Sequence, residues 1–225
     1  MIQSSIFEWR QGAGWLVLSS GGRFMDGETE AIDTRMLSRS AADGALVYIG
    51  AADEPETAEQ FLMYLGDLGS RSGYAIDIIA EDDASLKAHL GEAGIIVIGD
   101  GPQHARLYNG LQGAALEGIL RAYENGALIM GIGFGAELFG QWILRPSPLA
   151  PYSGFTWLAN AAILTGVPEL AQKRTLQDLL HKRPVTYGLN IRPGSALTFG
   201  PDGQVELWGT EQIIISLGQA YSIRE

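Results

Sequence analysis

Cysteine is absent from the 225 residues, which removes thiol nucleophiles, disulfides and thiolate metal sites together. Histidine is scarce: only His89, His104 and His181 are left for acid–base work. Positive charge is also thin, with 15 Lys and Arg against 26 Asp and Glu, for a formal charge of -11. A nucleic-acid surface needs clustered cations, so no DNA or RNA partner is expected. No apolar run approaches the roughly 20 residues of a membrane span, and residues 1–14 lack a basic stretch followed by a hydrophobic core. The expectation is a cytoplasmic protein with no membrane partner. No spacing of His, Asp or Glu matches a metal site, and neither a metal nor a cofactor is expected.

What is present is apolar. Hydrophobic residues make up 46% of the chain, enough to bury a substantial core as one α/β domain over residues 1–225. The centre of the pattern is residues 127–137, an apolar run that breaks into Gly131, Gly133 and Gly135 before helix-forming residues resume. It reads as strand, sharp turn, helix. Glycines serve where φ is positive or where segments approach too closely for a Cβ, so three of them predict a crowded elbow. In hydrolytic α/β folds such an elbow lifts a nucleophile above the carboxyl edge of the sheet, with backbone N–H groups stabilising an oxyanion. The nucleophile position here is Gly133, which has no side chain to attack with.

Around this centre, apolar strands alternate with helical spacing. Strands are predicted over 15–18, 45–49, 74–79, 95–98 and 127–132. Helices are predicted over 28–41, from Pro55 to about Leu68, after the acidic run Glu81, Asp82 and Asp83, and over 105–125 with a break near Gly110 and Gly113. The run at 95–98 has no polar face, as the centre of a parallel sheet requires. The fold class is therefore α/β: a flavodoxin-like, doubly wound, mainly parallel sheet with helices on both faces. Beyond the elbow, Pro146, Pro148 and Pro151 precede Tyr152, Phe155 and Trp157, a stretch read as a lid or a dimer surface. A strand at 161–164 and a helix at 172–181 follow. Short alternating runs at 185–189, 196–199, 205–208 and 213–217 are expected to extend the sheet antiparallel at its edge.

The motifs taken together resemble peptidase family S51, the cyanophycinases and alpha-aspartyl dipeptidases, whose fold is related to class I glutamine amidotransferases. The likeness spans most of the chain. It rests on Gly21 and Gly22 after the first strand, Gly50, Ala51 and Ala52 after the second, and the loop Gly99, Asp100, Gly101, Pro102 and Gln103 after the fourth. The elbow resembles the family's G-x-S-A-G-A, and residues 188–197 resemble its late G-I-G-I-D-E-x-T-A-L motif. The resemblance implies a serine hydrolase, and the departures fall on the parts that such an enzyme uses. Gly133 stands at the serine, Phe134 at the neighbouring alanine, and Arg192 and Pro193 at the late acidic pair. No histidine lies near 163–166, where the family's base is expected.

The candidate pocket residues are Gly99, Asp100, Gly101, Gln103, His104, Gly133, Phe134 and Glu137. His104 either lines the pocket or faces solvent at a helix start. Glu137 is either a base or ligand, or a first-turn carboxylate that offsets the helix dipole. His89 and His181 read as structural. Three functions stay open: a noncatalytic S51-like protein that binds a small molecule, a peptide or a protein; a hydrolase with a relocated nucleophile or an activated water; and a structural amidotransferase-like subunit. A homodimer is expected through the aromatic stretch and the strand at 213–217.

Overall fold

The computed structural model describes residues 6–39, 44–70, 72–144 and 151–221. Pro146, Pro148 and the end of the helix expected over 28–41 lie outside the described residues. In chain order the first half consists of β1 (Trp15–Ser19), α1 (Glu30–Arg39), β2 (Leu46–Ile49), α2 (Pro55–Asp67), β3 (Gly73–Ile76), α3 (Asp83–Gly91), β4 (Ile95–Ile98), α4 (His104–Gly110), α5 (Ala114–Glu124) and β5 (Leu128–Ile132). The second half runs through α6 (Phe134–Glu137), β6 (Trp142–Ile143), β7 (Tyr152–Ser153), β8 (Ala161–Thr165), α7 (Leu170–Lys182), β9 (Tyr187–Ile191), β10 (Ser195–Phe199), β11 (Val205–Gly209) and β12 (Ile213–Leu217).

A seven-stranded sheet of order β11-β10-β1-β5-β4-β2-β3 forms the centre. Its five strands from β1 to β3 are parallel, and β10 and β11 add antiparallel at one edge. Successive side chains on a strand point to opposite faces, so continuous apolar runs need cover on both. Trp15 and Val17 of β1 pack with Ile32 and Met36 of α1 and with Phe61 and Leu65 of α2. Leu16 and Leu18 belong to the opposite layer, with Leu86 and Leu90 of α3 and Ile119 and Ala122 of α5. That is the doubly wound arrangement the alternation predicts. The acidic run at 81–83 starts α3, where Asp82 caps the helix by accepting from the N–H groups of Ala84 and Ser85 at 3.0 and 3.1 Å.

Three expectations are corrected. The C-terminal strands do not all extend the main sheet. A second, five-stranded sheet of order β12-β9-β8-β6-β7 stands beside it, with β8 and β9 parallel and β12 antiparallel on β9. The third strand stops at Ile76 rather than Ile79, because the Asp77 carboxylate accepts from the Ile79 N–H at 2.9 Å and turns the chain. The aromatic stretch is not an exposed lid. Trp157 is 2% exposed, its ring 4.9 Å from that of Tyr123 and 5.0 Å from that of Phe139, while Phe155 stacks on Tyr108. Aromatic area of this size dominates the energetics of whichever surface it joins, and here it joins the main core.

Candidate functional site

The elbow is built at the carboxyl end of β5. Gly133 takes φ 55° and ψ -123°, a combination that strains a residue carrying a Cβ. Its N–H donates to Ser19 O at 3.0 Å, tying the turn to the end of β1. Crowding fixes a second glycine: a Cβ on Gly135 would lie 2.5 Å from Ile98 O, so the turn sits against β4 at backbone distance. The chain then has room for a single helical turn, α6, which is four residues long.

Asp100 closes the elbow from above. Its Oδ1 accepts from the Phe134 N–H at 3.0 Å. A Cβ built on Gly133 would overlap this carboxylate and lie 2.8 Å from the Asp100 Cβ. The backbone donor that follows a nucleophile position therefore already holds a negative oxygen, and the space above Gly133 is filled. Phe134 is 5% exposed, and the His104 ring stacks on it with centroids 3.9 Å apart and planes 7° from parallel. His104 itself is exposed at the start of α4.

Glu137 lies beneath. It is 8% exposed and its Oε1 accepts from both the N–H and the hydroxyl of Thr165, at 3.1 and 3.0 Å. Burial pushes its carboxyl up to about 7; the Thr165 bonds pull the other way and the Asp100 charge adds to the rise. At neutral pH this group is divided between its acid and its anion, whereas the Asp100 carboxylate beside it accepts a backbone N–H.

Next to the elbow, along the carboxyl edge, is a cavity of about 160 Å³. Ser19, Ser20 and Gly21 supply the end of β1, Tyr48 and Asp53 the end of β2, and Asp100 the end of β4. Such a crevice outside the carboxyl ends of parallel strands is the favoured ligand position in open α/β sheets. Asp33 reaches it from α1 and is 1% exposed. Burial pushes the Asp33 carboxyl up to about 6, against hydrogen bonds from Thr29 and Tyr64. The Tyr48 hydroxyl is pushed up to about 12 by burial, with the charges of Asp53 and Asp100 adding to it.

A model of peptidase family S51 matches residues 15–206. The chain belongs to peptidase family S51. Its fold is similar to that of a peptidase from an acI-B1 Actinobacterium, with a TM-score of 0.72 and 19% identity over 92% of this chain and 93% of that one. It is also similar to that of a putative peptidase E protein from Listeria monocytogenes EGD-e, with a TM-score of 0.61 and 16% identity over 91% of this chain and 98% of that one. No curated protein matches the sequence.

In this S51 chain two of the motif segments touch. The late motif meets the first glycine turn, because Gly194 N–H donates to Gly21 O at 3.0 Å and the Ser20 hydroxyl donates to Arg192 O at 2.5 Å. Thr165 ends the strand where the family's base is expected, and it faces Glu137. Of the eight pocket residues expected from sequence, Asp100, His104, Gly133, Phe134 and Glu137 come together at the elbow. Gly99 packs on the Tyr48 ring, and Gly101, at φ 146°, presses on the Ala52 carbonyl, so both shape the loop. Gln103 departs to a separate cleft of about 300 Å³ that it shares with Asp77 and Arg106. Sequence reasoning missed Asp33, Tyr48 and Asp53. The available signal was Asp33 lying beside Ile32 and one turn before Met36, an acid within a buried helical stripe.

Proposed function

We propose that this protein is an S51 member that has lost serine-hydrolase chemistry and uses the carboxyl edge of its sheet to bind a small molecule. The observation that carries the reading is the Asp100 carboxylate seated over Gly133 and hydrogen-bonded to the Phe134 N–H. A serine mechanism needs a hydroxyl, a base to take its proton and free donors for the oxyanion. Gly133 provides no hydroxyl, Thr165 stands where the base is expected, and the Phe134 donor is occupied by a fixed anion that would repel a developing one.

A second reading has one observation in its favour. Among the hydroxyls lining the cavity, that of Thr29 donates to a carboxylate, Asp33 Oδ2, at 2.7 Å. A relocated hydrolase would use this pair as nucleophile and base. Incubation with a fluorophosphonate probe and with a panel of aspartyl peptides, including beta-linked aspartyl–arginine, separates the two. The expected outcome is neither labelling nor turnover. Stoichiometric labelling of Thr29 or another hydroxyl, with turnover lost on its replacement, would overturn the noncatalytic reading.

A further inference from the structure

Four strands end the two sheets: β11 and β3 the larger, β12 and β7 the smaller. An edge strand offers unpaired N–H and C=O groups to any other strand, and proteins blunt such edges with short strands, charges or cover. Three of the four are blunted. β7 is two residues long and β3 four, the latter opening on Gly73. β11 carries Glu206, paired with Arg39, and the Arg35 guanidinium donates to Leu207 O at 3.3 Å. Among the described residues, β12 has none of these devices. It consists of Ile213, Ile214, Ile215, Ser216 and Leu217, without a charge or a proline.

The hydrogen bonds show which groups of β12 are free. In an antiparallel pair, residues alternate between those that bond to the neighbouring strand and those that face away from it. Arg192 N–H donates to Gln212 O at 3.0 Å and Gly218 N–H donates to Thr186 O at 2.9 Å, both in the register that pairs Ile213 with Ile191. The even-numbered positions of β12 therefore bond to β9, and Ile213, Ile215 and Leu217 turn their N–H and C=O groups outward. Ile215 and Leu217 are 41% and 47% exposed. Beside the end of the strand, Leu217, Gly218 and Gln219 form a cleft of about 250 Å³ with Gln177, Leu180 and His181 of α7.

A second copy of the same strand fits this edge. Two β12 strands related by a two-fold axis run antiparallel, and an axis through Ile215 sets Ile213 against the partner's Leu217 and Ile215 against the partner's Ile215. Each pair joins outward-facing residues, which exchange both hydrogen bonds, and apolar side chains, which stabilise one another across the strands. The same register brings the partner's Glu211 opposite Gln219, whose side-chain amide lies 3.4 Å from the His181 ring nitrogen. Lys182 follows His181. Glu211 and Lys182 are both exposed, and neither makes a salt bridge among the described residues. The acid before one strand thus meets the cation at the end of the other copy's helix, twice by symmetry.

We propose that this protein forms a two-fold dimer in which β12 pairs antiparallel with the partner's β12 about Ile215, and in which the partner's Glu211 seats at the α7 cleft beside His181 and Lys182. The pairing is independent of the ligand site at the carboxyl edge.

Light scattering across a concentration series, combined with amide hydrogen exchange, tests it. The dimer is expected to protect the amides of Ile213, Ile215 and Leu217, which the monomer leaves to water, whereas those of Ile214 and Ser216 are slow in both. Lys182→Glu, at an exposed helix end, is expected to raise the dimer dissociation constant roughly tenfold, because the axis counts each contact twice and attraction becomes repulsion. Glu211→Lys should do the same, and the two together should restore the wild-type value, since the pair is then reversed. A monomer mass at every concentration overturns the proposal. A dimer in which Ile213, Ile215 and Leu217 exchange as fast as in the monomer overturns it as well, because the copies then meet elsewhere. Absence of weakening, or weakening that the double substitution does not restore, overturns the register and the seating of Glu211.

Discussion

Substituting Gly133 by alanine tests how the elbow has been rebuilt, because the new Cβ meets two separate obstacles. The first is the backbone, at φ 55° and ψ -123°, where a side chain stores roughly 1–3 kcal/mol of strain. The second is Asp100, which must leave the space and give up its bond to the Phe134 N–H, a charge-assisted contact worth about 1.5–3 kcal/mol. Asp100 is open to water on its outer side, so the lower half of that second range applies. Gly133→Ala is therefore expected to cost about 2.5–5 kcal/mol, a melting shift of roughly 5–20 °C for a chain of this length. The partner substitution must be Asp100→Gly rather than Asp100→Ala, since the Asp100 Cβ alone would lie 2.8 Å from the new methyl group. With Asp100 gone, Gly133→Ala costs only the backbone strain. The double variant should then be no less stable than Gly133→Ala alone, a favourable coupling of about 1.5–2 kcal/mol in a double-mutant cycle. Urea denaturation of the four proteins, with midpoints and slopes compared, measures it. Additive costs, within about 0.5 kcal/mol, would refute the claim that the carboxylate and the missing side chain compete for one space.

Two further outcomes are expected. The Glu137 carboxyl is raised from 4.5 to about 7 chiefly by burial, so the folded protein holds a proton there that the unfolded chain releases. Stability from this group is complete below about pH 4.5 and is lost as pH rises toward 7, by on the order of 3 kcal/mol. Asp33, raised from 3.8 to about 6, acts in the same direction at lower pH. Glu137→Gln should flatten the profile of stability between about pH 6 and 7 while leaving the Asp33 slope below it. An unchanged profile in denaturant melts would show that Glu137 is not the group responsible. For assembly, β12 is an edge strand that leaves Ile214, Ile215 and Leu217 at 54%, 41% and 47% exposure, and we propose that two copies pair across it. Light scattering should give a dimer mass that Ile215→Lys reduces to the monomer; a monomer mass for wild type across a concentration series refutes the pairing.

The parallel sheet was legible because each of its buried strands is apolar on both faces, as at residues 95–98, and because glycines punctuate its turns. The second sheet was not. β6 and β7 are two residues each, too short to show a period, and β9 carries the same alternation whether it pairs at an edge or lies beside β8. The aromatic stretch misled for a related reason, since sequence shows that Phe155 and Trp157 need burial but not which surface provides it. Asp33 was hidden by its context: an acid on an amphipathic helix reads as solvated until Tyr64 of α2 is brought to it. Asp100 was visible only as an interruption of a glycine loop. Its role depends on Phe134, 34 residues further on, and so belongs to the folded chain.

The elbow persists without its nucleophile because most of its residues serve packing. A Cβ on Gly131 would lie 2.6 Å from Gly135 O, and one on Gly135 would press on Ile98 O, so both glycines are required by the approach of the turn to β4 and to itself. Neither requirement involves a serine. Glycine at 133 removes the strain that a side chain stores in this conformation, and it opens a space that the Asp100 carboxylate can enter. The backbone donor at Phe134, which an oxyanion would otherwise occupy only during a reaction, then has a permanent partner. Chemistry held by one side chain is thus separable from a turn held by several backbones. The same carboxylate stands at the rim of a cavity that Asp33 and Asp53 also line. The side chain at 100 thus takes the space that a side chain at 133 would need.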